Sequence, residues 1–277
     1  MEKQVSEADV ITKFPKAPVT VDQIAADLRK LGVEPGMTIL VHSSLSALGW
    51  VCGGEVAVVD ALMAVIRPFG NLIMPTHTSH LSDPSRWENP PVPRSWWPVI
   101  RQATPPFRPE TTPSRGMGSI PELFRTMAEV VRSVHPHFSF AAWGERSIDL
   151  VNNHELNFGL GEGSPLARVY DMDGSVLLLG VDFDRNTSFH LAEHRAEYAT
   201  KEMIYEMAPI MENGHRRWKR HRNINLDSSD FNDIGRDFCD SYSQHVRTGL
   251  VGNAFCRLFP QRIAVDYARE WIHRKRR

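Results

Sequence analysis

Residues 38–74 read TILVHSSLSALGWVCGGEVAVVDALMAVIRPFGNLIM, and the fold turns on how this stretch divides. After a turn at Pro35-Gly36, the run Thr38-Ile39-Leu40-Val41 is short, apolar and β-branched, which predicts a buried strand. From Glu55 to Ile66 the pattern changes to helical spacing, with Val58, Leu62 and Val65 on one face. Pro68-Phe69-Gly70 breaks that helix, and Asn71-Leu72-Ile73-Met74 reads as a second strand. Strand, helix and strand with short joints is the grammar of a parallel sheet covered by helices.

The same grammar extends outward. Upstream, Val19-Thr20 leads into VDQIAADLRKLG, where Ile24, Leu28 and Leu31 repeat at helical spacing and Gly32 is placed to end the helix. Residues 1–18 are polar, finish in FPKAP and predict an extended lead-in. Downstream, GSVLLLG (174–180) reads as a buried strand, and Thr187-Ser188 opens a helix just past its carboxyl end. In open α/β sheets, ligand crevices form at that end of the strands. HPHFSFAAWG (135–144) predicts another buried strand, beginning with two histidines and a serine, and residues 120–127 a helix after Ser119. A Pro/Trp-rich excursion at 76–113 predicts either an ordered surface loop or a lid or substrate wall. Beyond about Lys201, polar β-like pieces lead to a final helix around 263–273. The expected fold is therefore α/β: a mixed, largely parallel sheet flanked by helices, with a smaller β-containing C-terminal part. Residues 19–277 are expected to form a single domain.

Composition narrows the function classes. Lys+Arg total 32 against 33 for Asp+Glu, a net charge of -1, which argues against general nucleic-acid binding. The basic tail Arg274-Lys275-Arg276-Arg277 reads as a solvated terminus. Three cysteines without CxxC spacing suggest neither a disulfide framework nor a structural zinc site, and a reducing cytoplasm is expected. The N-terminus lacks the apolar core of a signal peptide, and no apolar run approaches the roughly 18 residues of a membrane span. No membrane partner is expected, and a homodimer is an allowed assembly.

Several segments carry chemistry. His42-Ser43-Ser44-Leu45-Ser46-Ala47-Leu48-Gly49 ends a strand with hydroxyls and a glycine turn, donors that suit phosphate oxygens. A capped turn without a ligand is the plain alternative, since both GxxxxGK[ST] and GxGxxG are missing. Arg115-Gly116-Met117-Gly118-Ser119 permits close backbone approach by a ligand, or simply caps a helix. On the helix after Thr187, residues three and four apart share a face, which puts His190 beside Glu193 and His194. A carboxylate that fixes an imidazole's tautomer makes a general base near neutral pH. The same letters spell H-x-x-E-H, an inverted zinc-peptidase pattern, but no later segment plainly supplies a third ligand. Asp182 and Asp184 precede the helix, and acids in that position would attract a polycationic substrate.

Taken in order, VHSSLSALG (41–49), MGSIPELFR (117–125), HPHFSFAAWG, GEGSPLARVYDMDGSVLLLG (161–180) and NTSFHLAEH (186–194) resemble the aminoglycoside 3-N-acetyltransferase family. The resemblance covers roughly residues 20–260. It implies a fold distinct from the widespread GNAT acetyltransferases. It also implies acetyl transfer from acetyl-coenzyme A, without a metal, to an amine of an aminoglycoside antibiotic. Residue by residue, it implies that His42, Ser43, Ser44, Leu45, Ser46, Ala47, Leu48 and Gly49 bind the coenzyme's pyrophosphate. Met117, Gly118, Ser119 and Ser139 would approach its pantetheine arm, His190 would be the catalytic histidine and Glu193 its orienting acid. Acids in the C-terminal third remain alternative partners of His190. A zinc hydrolase and a non-catalytic coenzyme A or drug binder are the competing readings.

Overall fold

The computed structural model describes residues 6–277. Its centre is a seven-stranded sheet ordered β3-β4-β2-β1-β5-β9-β8. The strands are β1 (Thr38–Ser43), β2 (Asn71–Pro75), β3 (Val131–Arg132), β4 (Phe140–Gly144), β5 (Ser175–Leu179), β8 (Arg247–Val251) and β9 (Ala254–Pro260). A separate antiparallel hairpin is built from β6 (Met203–Glu212) and β7 (His215–Ile224). The sheet is mixed, as expected, but its parallel part is narrower than the sequence suggests. β1 runs parallel to β2 and β5, whereas β4, β3, β9 and β8 are added antiparallel. The cause lies in the connections: β8 joins β9 through a two-residue turn at Gly252-Asn253, which can only reverse the chain.

Side-chain alternation sorts the core onto the two faces of the sheet. Ile39, Val41, Leu72, Met74, Leu177 and Leu179 pack with one layer of helices, chiefly α2 (Val21–Leu31), α4 (Gly54–Ile66) and α6 (Ser119–Phe124). Leu40, Ile73, Val176, Leu178 and Phe140 point the other way. They pack on α7 (Ser147–Val151), α8 (Pro165–Asp171), α9 (Ser188–Arg195), α10 (Phe231–Ser241) and α11 (Gln261–Lys275). Full burial of each such side chain contributes about 1.5–3 kcal/mol, so this period-2 division is what fixes the register. The α2 boundaries follow the local code. Thr20 accepts the Gln23 N–H at 3.3 Å, and Gly32 closes the helix at φ 100°, in the left-handed region. The short α3 (Leu45–Leu48) leaves the end of β1, and α5 (Trp97–Ala103) lies within the Pro/Trp-rich excursion.

Several expectations are corrected. The lead-in is not wholly extended: Ser6 and Asp9 form a reciprocal capping box that starts α1 (Glu7–Lys13). Residues 1–5 of that lead-in lie outside the described residues. The strand expected over 135–144 begins only at Phe140, because His135 Nδ1 accepts the N–H groups of His137 and Phe138 and folds residues 135–138 into a turn. The excursion at 76–113 is ordered by contacts to the hairpin, with Phe107 N–H on the Pro209 carbonyl and Trp218 Nε1 on the Arg101 carbonyl. Among the described residues no helix is long and apolar enough to cross a membrane.

Candidate active site

A cleft of about 1060 Å³ opens at the carboxyl ends of β1 and β5. That is where sheet topology places a ligand crevice. His42, Ser43, Ser44, Leu45, Ser46 and Gly49 line one wall; Met117, Gly118 and Ser119 line another. Asp182, Asp184 and Thr187 border it from the β5–α9 connection.

The β1 end offers open polar groups. Ser43 Oγ is buried with no hydrogen-bond partner. Ser44 stands at the N-cap of α3 but makes no side-chain cap bond; its hydroxyl sits 3.3 Å from that of Ser46. The first N–H groups of any helix have no intrahelical acceptor, so this turn gathers hydroxyls and amides beside the cleft. Across from it, Gly118 adopts φ 90°, a conformation that favours glycine, and brings its backbone toward the Ser43 carbonyl. The hydroxyls and amides of this turn, with Arg185 elsewhere on the lining, give a large cleft donors that fit a long, phosphate-bearing co-substrate.

Not every residue of the sequence reading reaches the cleft. Leu48 is fully buried in the core, and Ala47 faces Gly180, whose own Cβ would come within 2.6 Å of it. Both are helix-packing residues and neither lines the cleft. Ser139 is fully buried too: its hydroxyl donates to the Thr76 carbonyl at 2.7 Å and accepts from Arg132 Nε at 3.1 Å. It holds a buried arginine in place and does not line the cleft.

One turn into α9, His190 meets its acid. His190 Nδ1 is hydrogen-bonded to Glu193 Oε2, and the ring lies against Phe231 with centroids 4.8 Å apart. Glu193 is fully buried, and its other oxygen, Oε1, accepts from Arg276 Nη1 and from the Asp227 N–H at 3.0 Å. Burial opposes the charge on Glu193, but the bonds from His190, Arg276 and Asp227 outweigh it and hold its carboxyl below the ordinary range. Arg276 is itself fixed by both oxygens of Asp230, at 2.7 and 2.6 Å, and by the Asp227 carbonyl. Burial alone would lower the Arg276 pKa, yet its bonds to Asp230 and Glu193 push it above the ordinary value. The expected solvated tail is corrected at one position: Arg274, Lys275 and Arg277 are exposed, but Arg276 folds back onto the carboxylate behind His190.

Facing this pair, His42 Nε2 lies 3.4 Å from Thr187 Oγ1. Burial, and secondarily the positive charge His190 can carry, push the His42 pKa down to about 3, so it stays neutral. His190 keeps modest solvent access, with 16% of its side chain exposed. Asp182 and Asp184 border the cleft, but Asp182 already pairs with Arg257 at 3.0 Å and Asp184 with Arg185 at 3.1 Å.

The H-x-x-E-H reading does not build a metal site on α9. Both oxygens of Glu193 are engaged as above, and His194 packs edge-on against Phe158 with centroids 5.8 Å apart. Sequence reasoning left the acids of the C-terminal third open, Asp230 among them, but missed Arg276 and Phe231 as parts of the site. The last had a signal, since Phe231, Ile234 and Phe238 recur at helical spacing in the acid-rich stretch LDSSDFNDIGRDF (226–238) and lie on the buried face of α10.

Comparisons with known proteins identify the family and the fold. The sequence model of the aminoglycoside 3-N-acetyltransferase family matches residues 40–273. The chain is 47% identical, over 94% of each sequence, to YokD of Bacillus subtilis (strain 168), described as an SPbeta prophage-derived aminoglycoside N(3')-acetyltransferase-like protein. The crystal structure of YokD superposes with a TM-score of 0.93 at 44% identity, covering 97% of this chain and 98% of that one. Two further structures share the fold at a TM-score of 0.84. One is AAC-IIIb in a binary complex with CoASH, at 28% identity and covering 94% and 98% of the two chains. The other is AAC-VIa bound to sisomicin, at 29% identity and covering 94% and 99%. This chain belongs to the aminoglycoside 3-N-acetyltransferase family and is an acyltransferase.

Proposed function

We propose that the protein acetylates the 3-amino group of an aminoglycoside, with acetyl-coenzyme A as donor and His190 as general base. The observation that carries this reading is the ordered His190–Glu193–Arg276 chain, which starts three residues past Thr187, the N-cap of α9, in a helix whose cap lines the same cleft as Ser43, Ser44 and Ser46. The coenzyme-bound AAC-IIIb and the sisomicin-bound AAC-VIa support the identities of donor and acceptor.

Glu193 is a carboxylate and can only accept, so the bond it makes fixes the His190 proton on Nδ1. Nε2 is left with its lone pair. A free aliphatic amine is mostly protonated near neutral pH, and Nε2 takes up the proton that its attack must shed. Glu193 then stabilises the imidazolium, while Arg276 and the Asp227 N–H keep the carboxylate in place. His42, held neutral, places no second positive charge beside that imidazolium. The bound donor supplies an acetyl group activated as a thioester. The C–N bond forms as the C–S bond breaks, and the coenzyme leaves as its thiolate. That thiolate takes the proton held on His190 Nε2 and restores the neutral imidazole. The Ser43, Ser44 and Ser46 hydroxyls would hold the coenzyme, with Met117, Gly118 and Ser119 on the opposite wall. Asp182 and Asp184 would face the ammonium groups of a polycationic acceptor. No covalent acyl-enzyme is required: Cys256 is buried, and burial pushes its thiol up to about 11.

Coenzyme A release, measured with a panel of aminoglycosides that includes sisomicin and with simple primary amines, tests the reading. Many turnovers on aminoglycosides are expected, with activity lost in His190→Ala. Binding without turnover would leave a ligand-binding protein in place of an enzyme, and full activity in the variant would remove His190 from the mechanism.

A further inference from the structure

Four imidazoles crowd together where the turn before β4 meets the β6–β7 hairpin. His135, His137, His154 and His221 stand with ring centroids 4.7–6.3 Å apart. Two of them are satisfied. His154 bonds to Ser133 Oγ at 2.9 Å and donates from Nε2 to the Gly159 carbonyl at 2.6 Å. His135 accepts two backbone N–H groups at Nδ1, which leaves its proton on Nε2, 3.3 Å from the Leu156 carbonyl.

The other two are open. His221, only 3% exposed, has no hydrogen-bond partner at either ring nitrogen, and His137, equally buried, has none at Nε2. Between them stands the Glu206 carboxylate. Its Oε2 lies 3.9 Å from His137 Nδ1 and 3.6 Å from His221 Nε2. These separations exceed the 2.7–3.2 Å or so of an ordinary N–H···O bond. They approach the roughly 3.4 Å that separates two atoms each bound at about 2.0–2.1 Å to one tetrahedral ion. One ligand atom from each of the three residues lies within 4.8 Å of the others.

Charge and support favour the same conclusion. Among the described residues no lysine or arginine pairs with Glu206, so the only groups beside this largely buried carboxylate that could carry a positive charge are the two imidazoles. The buried Asn223 amide donates to Glu206 Oε2 at 2.8 Å and fixes the carboxylate's orientation, as outer-shell groups do at metal sites. Glu206 keeps 17% of its side chain exposed, which gives an ion and a water molecule a way in. Two imidazoles and one carboxylate, with a position left for water, suit zinc, whereas calcium and magnesium take oxygen ligands.

We propose that His137, Glu206 and His221 form a zinc site that staples the β6–β7 hairpin to the turn before β4. None of the three lines the cleft or hydrogen-bonds to the His190–Glu193–Arg276 chain, so the ion stands apart from the acetyl transfer. It joins segments far apart in the chain, and its binding free energy adds to the stability of the fold.

The test uses the full-length, untagged protein, dialysed against a chelator and then titrated with zinc chloride. We expect about one zinc per chain by elemental analysis, and a melting temperature that rises by several degrees on zinc addition. Glu206→Gln, which keeps the shape of the side chain, and His221→Gln should each lose both the ion and the thermal response. His194→Asn should keep both. Wild-type protein that takes up no zinc and shows no thermal shift would overturn the proposal. So would retention of zinc by both Glu206→Gln and His221→Gln, or its loss in His194→Asn, which would move the ion to α9. The stoichiometry of Glu206→Gln decides the matter should His221→Gln fail to fold.

Discussion

Two clusters in this molecule are made of the same parts, histidine and glutamate, one pair neighbours on a single helix and the other drawn from segments that the fold brings together, yet they are in opposite states. At His190 every polar atom of the supporting carboxylate is engaged: Oε2 by the imidazole, Oε1 by Arg276 and the Asp227 N–H. At Glu206 the imidazoles stand off at 3.6 and 3.9 Å with ring nitrogens unpartnered. The difference shows what a guanidinium does to such a pair. Arg276 neutralises Glu193 from behind and leaves the His190 ring free to exchange a proton at Nε2. Among the described residues Glu206 has no such cation, so its charge is still available to a metal. Residue type alone would have assigned the metal to α9 and the proton transfer to either cluster; the placement of one arginine separates them.

The largest break in that comparison comes from the reacting imidazole. His190→Ala should lower kcat/KM about 10²–10⁴-fold in the coenzyme A release assay, the usual contribution of a positioned base. His194→Asn, on the same helix but outside the hydrogen-bonded chain, should leave it within about threefold. Arg276→Ala should come next, with kcat down roughly ten- to hundredfold, since breaking a buried ion pair costs about 3 kcal/mol or more, and a carboxylate steadied from behind by the Asp227 N–H alone orients the ring poorly. The sign of the accompanying pH effect follows from the bonds. Arg276 helps to hold the Glu193 carboxyl below its ordinary range, so its removal raises that pKa and moves the acid limb of the rate profile to higher pH. Arg276→Lys should restore part of the rate and most of the limb's position. An unchanged acid limb in Arg276→Ala would reduce the arginine to a structural tether.

Much of the frame was legible because it rests on local periodicity. β1, α4 and β2 follow from alternation and helical spacing within 37 contiguous residues, and Gly32 ends α2 as its position implies. His190 beside Glu193 was legible for the same reason, as an i,i+3 pair on one helix. What sequence could not give is the third partner: Arg276 reaches Glu193 across 83 residues, and only packing of α11 against α9 brings them together. Ser139 misled in the opposite way. It sits inside a motif that points to the cleft, but the buried Arg132 needs acceptors, and the Ser139 hydroxyl serves it in place of a ligand. α1 and α10 were within reach, the first through its capping box and the second through Phe231, Ile234 and Phe238. Acidic residues around those apolar positions hid both.

The smallest expected effect sharpens the second cluster, through the imidazole that is satisfied there. Burial pushes His154 down from 6.5 to about 4, even though its bond to the Gly159 carbonyl works the other way. Between those values the unfolded chain takes up a proton that the folded chain refuses. The stability contributed by keeping His154 neutral is therefore complete above pH 6.5 and is lost as the pH falls toward 4. Linkage sets the slope at up to about 1.4 kcal/mol per pH unit for one such group. Urea unfolding of wild type and His154→Asn between pH 7 and pH 5 should therefore give stability curves that converge on acidification, since the variant lacks this proton uptake on unfolding. Curves that stay parallel would mean that His154 is already protonated in the fold. The bond to the Gly159 carbonyl would survive that change, but Ser133 Oγ would then have to accept from Nδ1, and the contrast between satisfied and open imidazoles would have to be redrawn around a charged ring.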